Sequence, residues 1–416
     1  MYLSRLKIQE AMCSKGLKTF TELADLVGIT KNQLSLMLSE NYNPLKSKVM
    51  NLCSALDIAP DSIIETSTFS MQKQYKEKAN PDDVTAIELF AGAGGLALGL
   101  EEAGIKTLEY VEFDKTCCET LRINRPSWNV VCDDIHNVNF NEYYGKIDIV
   151  TGGFPCQAFS YAGKKMGFED TRGTLFHEFA RCIKEVQPKM FWAENVRGLA
   201  SHDNGRTLNT IISVFESLGY TVGDRKKVLN ACYYGVGQKR ERIVIIGIRN
   251  DLRDLIHFEY PTPDKEWTTL RSVLKDCPPS IGEEYSAKKK AVFALVPPGG
   301  CWVNLPEEVA KAYMGKSYYS GGGRRGMARR IAWDEPCLTL TCSPSQKQTD
   351  RCHPDEVRPF TVREYARIQA FPDTWQFAGG IGDQYKQIGN AVPVELARRI
   401  GIQLKKSIDN YRNGSD

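Results

Sequence analysis

The chain has 416 residues, 42% of them hydrophobic and 25% charged, with a formal net charge of +3. These values suit a globular protein of two to four domains at about 100–200 residues each, and they exclude wholesale disorder and collagen-like repeats. No apolar run approaches the roughly 20 residues that a membrane helix needs, and the bulk charge announces no nucleic-acid partner, so local charge must be read instead.

Residues 1–66 read as short helices. Leu23, Ala24, Leu26 and Val27 precede Gly28, a natural helix stop, and Thr30 can cap a following helix with Leu34, Met37 and Leu38 at helical spacing. Val49, Leu52, Cys53 and Leu56 repeat the period, and Asp61 after Pro60 can open a last turn. The tight pair around Gly28 resembles the Cro/C1-type repressor domain. In that family the second helix enters the major groove, which puts Lys31, Asn32 and Gln33 forward as DNA contacts. A plain helical bundle used for dimerisation is the alternative.

Residues 67–82 are polar and read as a linker. From Val84 onward, apolar strands alternate with helical stretches at Thr85–Phe90, Thr107–Glu112, Ile147–Thr151, Met190–Glu194 and Arg242–Ile248. That alternation is the signature of a parallel sheet wrapped by helices. Residues 257–357 lose it and are rich in Pro, Gly, Lys and Arg. Helix returns at 361–370, and 391–406 form a last amphipathic helix.

The opening Met1-Tyr-Leu-Ser-Arg-Leu-Lys7 has no apolar signal core, so the expected location is the cytoplasm. The 13 cysteines are scattered, without a CxxC pair or zinc spacing. No metal site and no disulfide framework is expected.

Phe90-Ala-Gly-Ala-Gly-Gly95 follows a strand and precedes a helix. Glycines let the backbone pass close to a ligand, and free N–H groups at a helix start favour a carboxylate or phosphate. Glu112, ending the next strand, is placed for a ribose diol, and Asp134 for an adenine amine. Together they point to a nucleoside-bearing cofactor, either a dinucleotide or S-adenosylmethionine.

Gly153-Phe-Pro-Cys-Gln157 also follows a strand. With the glycine loop, Glu194-Asn195-Val196, Gln238-Lys-Arg240-Glu-Arg242 and Gly389-Asn390-Ala-Val-Pro393, it stands in the order shown by DNA cytosine-C5 methyltransferases. The resemblance covers about residues 84–410. It implies an α/β fold, a Rossmann-like S-adenosylmethionine methyltransferase sheet. A smaller irregular target-recognition domain and an N-terminal all-α helix-turn-helix domain would accompany it. The expected organisation is a helix-turn-helix domain at 1–66, a linker at 67–82, a discontinuous catalytic domain at 83–256 and 382–412, and a target-recognition domain at 257–381.

The chemistry explains the residue types. Cytosine C5 is a poor nucleophile until a thiolate adds at C6 and makes the ring an enamine. By the resemblance, Cys156 is that nucleophile, and Glu194 is the acid at N3, protonated in a desolvated site. Arg242 holds the cytosine O2, with Arg240 more structural. No residue is assigned as the base that removes the C5 proton. A duplex base must be flipped out first. Gly163–Gly173 resembles the family's mobile catalytic loop, whose Lys164, Lys165 and Arg172 are candidates for phosphates.

The resemblance also names the cofactor, S-adenosylmethionine, with S-adenosylhomocysteine as product. Phe90, Gly92 and Gly94 would line the methionine end, Glu112 the ribose, Asp134 the adenine amine, and Phe113 and Ile135 the adenine faces. Pro155 would lie beside the cofactor, and Asn390 and Val392 would close the pocket. Sequence recognition is expected in 257–357, where Arg324 and Arg325 lead a cation-rich stretch that also holds Lys311, Lys316, Arg329 and Arg330.

The partners implied are double-stranded DNA, the protein's own promoter through residues 1–66, and a second copy through that domain, with no membrane. A partner endonuclease of a restriction-modification system would fit this reading. An RNA cytosine methyltransferase and a transcription regulator with a decayed catalytic part are the alternatives. A dinucleotide oxidoreductase would leave Pro155-Cys156-Gln157 and the arginine motif idle.

Overall fold

The computed structural model describes residues 2–38, 46–65, 80–155, 174–319 and 326–414. The chain divides into two compact units. One comprises Gln74–Thr269, Gln369–Phe371 and Ala391–Asp416; the other comprises Met1–Lys73, Leu270–Ile368 and Pro372–Asn390. Most of the expected linker, through residue 79, lies outside the described residues.

The first unit is built on an eight-stranded sheet. Its strands are β1 (Val84–Leu89), β2 (Ile105–Glu112), β3 (Val130–Cys132), β4 (Ile149–Gly152), β5 (Met190–Val196), β6 (Tyr220–Val222), β7 (Val228–Asn230) and β8 (Glu241–Arg249). The order is β3-β2-β1-β4-β5-β8-β6, with β7 also pairing β8. The first five run parallel, and β8 runs antiparallel to β5, β6 and β7. Strand β1 is buried along its whole length, as expected for a parallel strand covered on both faces.

Helices cover each face. Helices α8 (Leu175–Val186) and α9 (Arg206–Ser217) bring Phe176, Phe179, Ile211 and Phe215 against Phe154 and Phe191 on one side. On the other, α6 (Gly95–Glu102) and α15 (Val394–Asn413) bring Leu96, Leu100, Leu396 and Ile400 against Trp192. The last amphipathic helix thus belongs to the sheet unit although the chain has left it for about a hundred residues. Among the described residues, no helix is long and apolar enough to cross a membrane.

The second unit contains the N-terminal helices α1 (Arg5–Ser14), α2 (Phe20–Val27), α3 (Lys31–Met37), α4 (Lys46–Leu56) and α5 (Pro60–Ile63). Thr19 caps α2 and Thr30 caps α3, each through a reciprocal capping box, and Gly28 ends α2 in the left-handed conformation at φ +73°. Leu23, Ala24, Leu34, Met37, Leu52 and Leu56 form their buried side. The rest of this unit is mostly irregular, with short helices that include α13 (Val362–Ile368) and α14 (Ile381–Asn390).

Candidate active site

The glycine loop leaves β1 through a run of left-handed residues, Phe90 (φ +57°), Gly92 (+55°) and Gly94 (+88°). Phe90 is the one without glycine's freedom, and strain of this kind persists where the surroundings fix it. Gly94 is the N-cap of α6 and offers no capping side chain, while the buried Glu88 carboxyl takes the backbone N–H of Ala97 in the first turn. Gly95 packs so closely on residues 391–392 that a β-carbon there would overlap the Val392 carbonyl. The C-terminal segment therefore reaches the glycine loop within one unit.

Glu112 ends β2 and ties two loops together. Its carboxylate accepts from Gly92 N–H and from Asp114 N–H, each at 2.7 Å. Burial raises its pKa, and these bonds lower it. The Phe113 backbone N–H bonds the same carboxylate, and three donors on its roughly four lone pairs leave acceptor capacity for a further one. Beside it, the Phe113 ring is 71% exposed, an open apolar face at a strand end. Asp134 caps the short turn Ile135–Asn137, and bonds from His136 hold its carboxyl below the usual range. Ile135 is buried.

Strand β4 ends at Gly152, and the chain turns through Gly153, Phe154 and Pro155. Phe154 is buried in the aromatic cluster and Pro155 is exposed. The Asn195 amide on β5 donates to the Phe154 carbonyl at 2.9 Å and so fixes the backbone two residues before Cys156. Cys156 itself, with Lys164, Lys165 and Arg172, lies outside the described residues.

Glu194 and Arg242 come from neighbouring antiparallel strands. Glu194 pairs in register with Val244 and Arg242 with Val196, so both side chains leave the same face. The Arg242 Nε meets Glu194 Oε1 at 2.7 Å, with both side chains nearly buried. The other Glu194 oxygen lies over Gly153, where a β-carbon would come within 2.8 Å of it. The glycine beside Pro155-Cys156 is thus the seat of the glutamate. Arg240 is fully buried, and its backbone bonds Asn230 and Ala231.

In the other unit, Asn390 accepts from the Cys342 thiol at 2.9 Å. Lys31, Asn32 and Gln33 are exposed along the start of α3, but Gln33 Oε1 is engaged as the cap acceptor for Thr30 N–H. In the cation-rich stretch, Lys311 pairs with Glu307 and Arg329 with Glu335, while Arg330 donates to the carbonyls of Val296, Pro354 and Asp355. These three cations serve their own fold. Arg324 and Arg325 lie outside the described residues.

Sequence reasoning assigned no role to Asn195 or Gly153, although both stand inside motifs it quoted. Their roles depend on which strands are neighbours. No group of three or more potential metal ligands occurs among the described residues.

Comparison with known proteins places this arrangement in a class. Residues 84–406 match the C-5 cytosine-specific DNA methylase family, and residues 7–68 match the Cro/C1-type HTH DNA-binding domain. The chain belongs to the C-5 cytosine-specific DNA methylases and is a DNA cytosine-C5 methyltransferase with an N-terminal helix-turn-helix domain. It is 53% identical to the type II methyltransferase M.Sau96I of Staphylococcus aureus over 99% of both chains. It is 49% identical to the type II methyltransferase M.Eco47II of Escherichia coli over 94% of this chain and 96% of that one. A prophage-encoded E. coli protein of known crystal structure shares 25% identity and a TM-score of 0.57, covering 78% of this chain and 99% of that one.

Proposed function

We propose that the protein is the modification enzyme of a type II restriction-modification system, acting in the cytoplasm on one short duplex sequence. The observation that carries the catalytic reading is the Glu194–Arg242 pair seated over Gly153, three residues before Cys156. Cys156 would add as thiolate to C6 of a flipped cytosine. Glu194 would hold N3 and the exocyclic amine, and Arg242 would take the charge that grows on O2. Water would remove the C5 proton, after which the C6–S bond breaks and the thiolate leaves.

S-adenosylmethionine would supply the methyl group. The residues present fit it. Glu112 has acceptor capacity left for a ribose diol, Phe113 offers an open ring for a base, and the N-terminus of α6, with no capping side chain at Gly94, favours a carboxylate. Asp134 would take the adenine amine, Phe113 and Ile135 would pack the adenine faces, Pro155 would lie beside the cofactor, and Asn390 and Val392 would close the site. Lys164, Lys165, Arg172, Arg324 and Arg325 would contact DNA.

The N-terminal domain would bind an operator near the protein's own gene and repress it, as a dimer on paired half-sites. Lys31 and Asn32 would lead that contact, with the amide nitrogen of Gln33. Two assays test these readings. Methyl transfer to duplex DNA should vanish in Cys156→Ala while cofactor binding persists. A promoter fragment should lose its mobility shift when Lys31 and Asn32 are both replaced by Ala; an unchanged shift overturns the repressor reading.

A further inference from the structure

The N-terminal helices do not stand apart from the second half of the chain. They fall in one compact unit with residues 270–368 and 372–390. The seam is specific. Gln384 on α14 donates its amide to Gln9 Oε1 on α1 at 3.0 Å, and both side chains are buried. Gln376 reaches Glu10 at 3.5 Å, and Gly282 N–H donates to the Lys18 carbonyl at 3.2 Å.

The contact continues into the unit. Ile281, next to Gly282, accepts from Val362 N–H at 2.9 Å, and Ser280 Oγ accepts from Arg363 N–H at 2.9 Å. Tyr385, beside Gln384 on α14, donates to the Phe360 carbonyl at 2.8 Å and accepts from Glu283 N–H at 3.2 Å. At the far end of α14, Gly389 presses on the Thr341 backbone and Asn390 bonds Cys342. One helix thus carries the N-terminal domain at one end and the last methylase motif at the other.

A domain tethered only for transcription would need no buried polar seam. A buried amide pair fixes one orientation, because breaking it leaves an unsatisfied polar group. We propose that the N-terminal helix-turn-helix domain is also a positioning element for methylation. Docked through Gln9 and Gln384, it holds α14 and the Ser280–Gly282 segment in the geometry that duplex DNA requires. Gln9 is then a positioning residue for a reaction whose machinery begins more than seventy residues later. This goes beyond the operator reading and does not depend on it.

The test uses the full-length chain in steady-state methylation of duplex DNA, with Gln9→Leu, Gln384→Leu and the double variant. Gln384→Leu leaves the buried Gln9 amide oxygen unpaired, whereas Gln9→Leu strips Gln384 of its interdomain acceptor and leaves it only the Gly379 carbonyl at 3.3 Å. The double substitution replaces both with apolar groups of similar size, which can be nearly neutral. The expected result is a KM for DNA raised roughly fivefold in each single variant, with kcat little changed and KM recovered in the double variant. If Gln384→Leu fails to fold, Gln9→Leu alone decides, since it lies outside the methylase match. An unchanged KM in folded Gln9→Leu, or a fall in kcat alone, overturns the proposal. So does a double variant no better than either single.

Discussion

The guanidinium of Arg242 meets the carboxylate of Glu194 at 2.7 Å across two antiparallel strands. Nearly buried pairs of this kind are costly to break from one side, because the remaining charge has no partner. Arg242→Met should therefore destabilise the fold by about 3–5 kcal/mol in denaturant titrations. Glu194→Gln keeps the shape and a hydrogen-bonding oxygen, so it should be less destabilising yet abolish turnover. Equal stability losses in both variants would contradict this assignment.

Gly153 leaves room for Glu194, whose Oε2 would stand 2.8 Å from any β-carbon there. Gly153→Ala should push the carboxylate off its position. A misplacement of about 1 Å can cost roughly a hundredfold in rate, so kcat should fall by about that factor while cofactor affinity is kept. A variant with near-normal kcat would show that the contact yields without consequence.

Asn195 holds the backbone before Cys156 through the Phe154 carbonyl. Removing the amide in Asn195→Ala should cost about 1 kcal/mol of stability and a larger share of activity, at least tenfold in kcat. Asn195→Asp retains an acceptor but loses the donor, so it should behave like alanine. Activity preserved in Asn195→Asp would remove the donor role.

Glu88 on β1 is fully buried, and burial holds its carboxyl well above the usual range. The folded chain therefore keeps a proton that the unfolded chain releases near pH 4.3, roughly. The stability this adds is complete below that pH and is lost as pH rises through the folded value. Glu88→Gln cannot ionise and escapes the loss. Its Tm relative to the wild type should climb as pH rises above the unfolded value. A difference that stays flat with pH would place the charge elsewhere.

What the sequence made legible were features set by local chemistry. Gly28 as a helix stop, Thr30 as a cap, the glycine loop after β1 and the acid ending β2 all follow from neighbours in the chain. Even the engagement of Gln33 could have been read, since Thr30 and Gln33 stand at capping-box spacing. The strands at 220–222 and 228–230 escaped because three residues carry no period. The seating of Glu194 on Gly153, the Asn195 clasp and the Gln9–Gln384 seam join segments 41 to 375 residues apart. No local pattern encodes such pairs; strand order and docking do.

Nucleophile and target are tested together by a genome-wide map of 5-methylcytosine in DNA from a methylation-free bacterium expressing the wild-type chain, with Cys156→Ala in parallel. One short sequence should be modified throughout the genome by the wild type and left bare by the variant, which should still fold and bind S-adenosylmethionine. Modification persisting in Cys156→Ala, or none from a folded, cofactor-binding wild type, would contradict this reading.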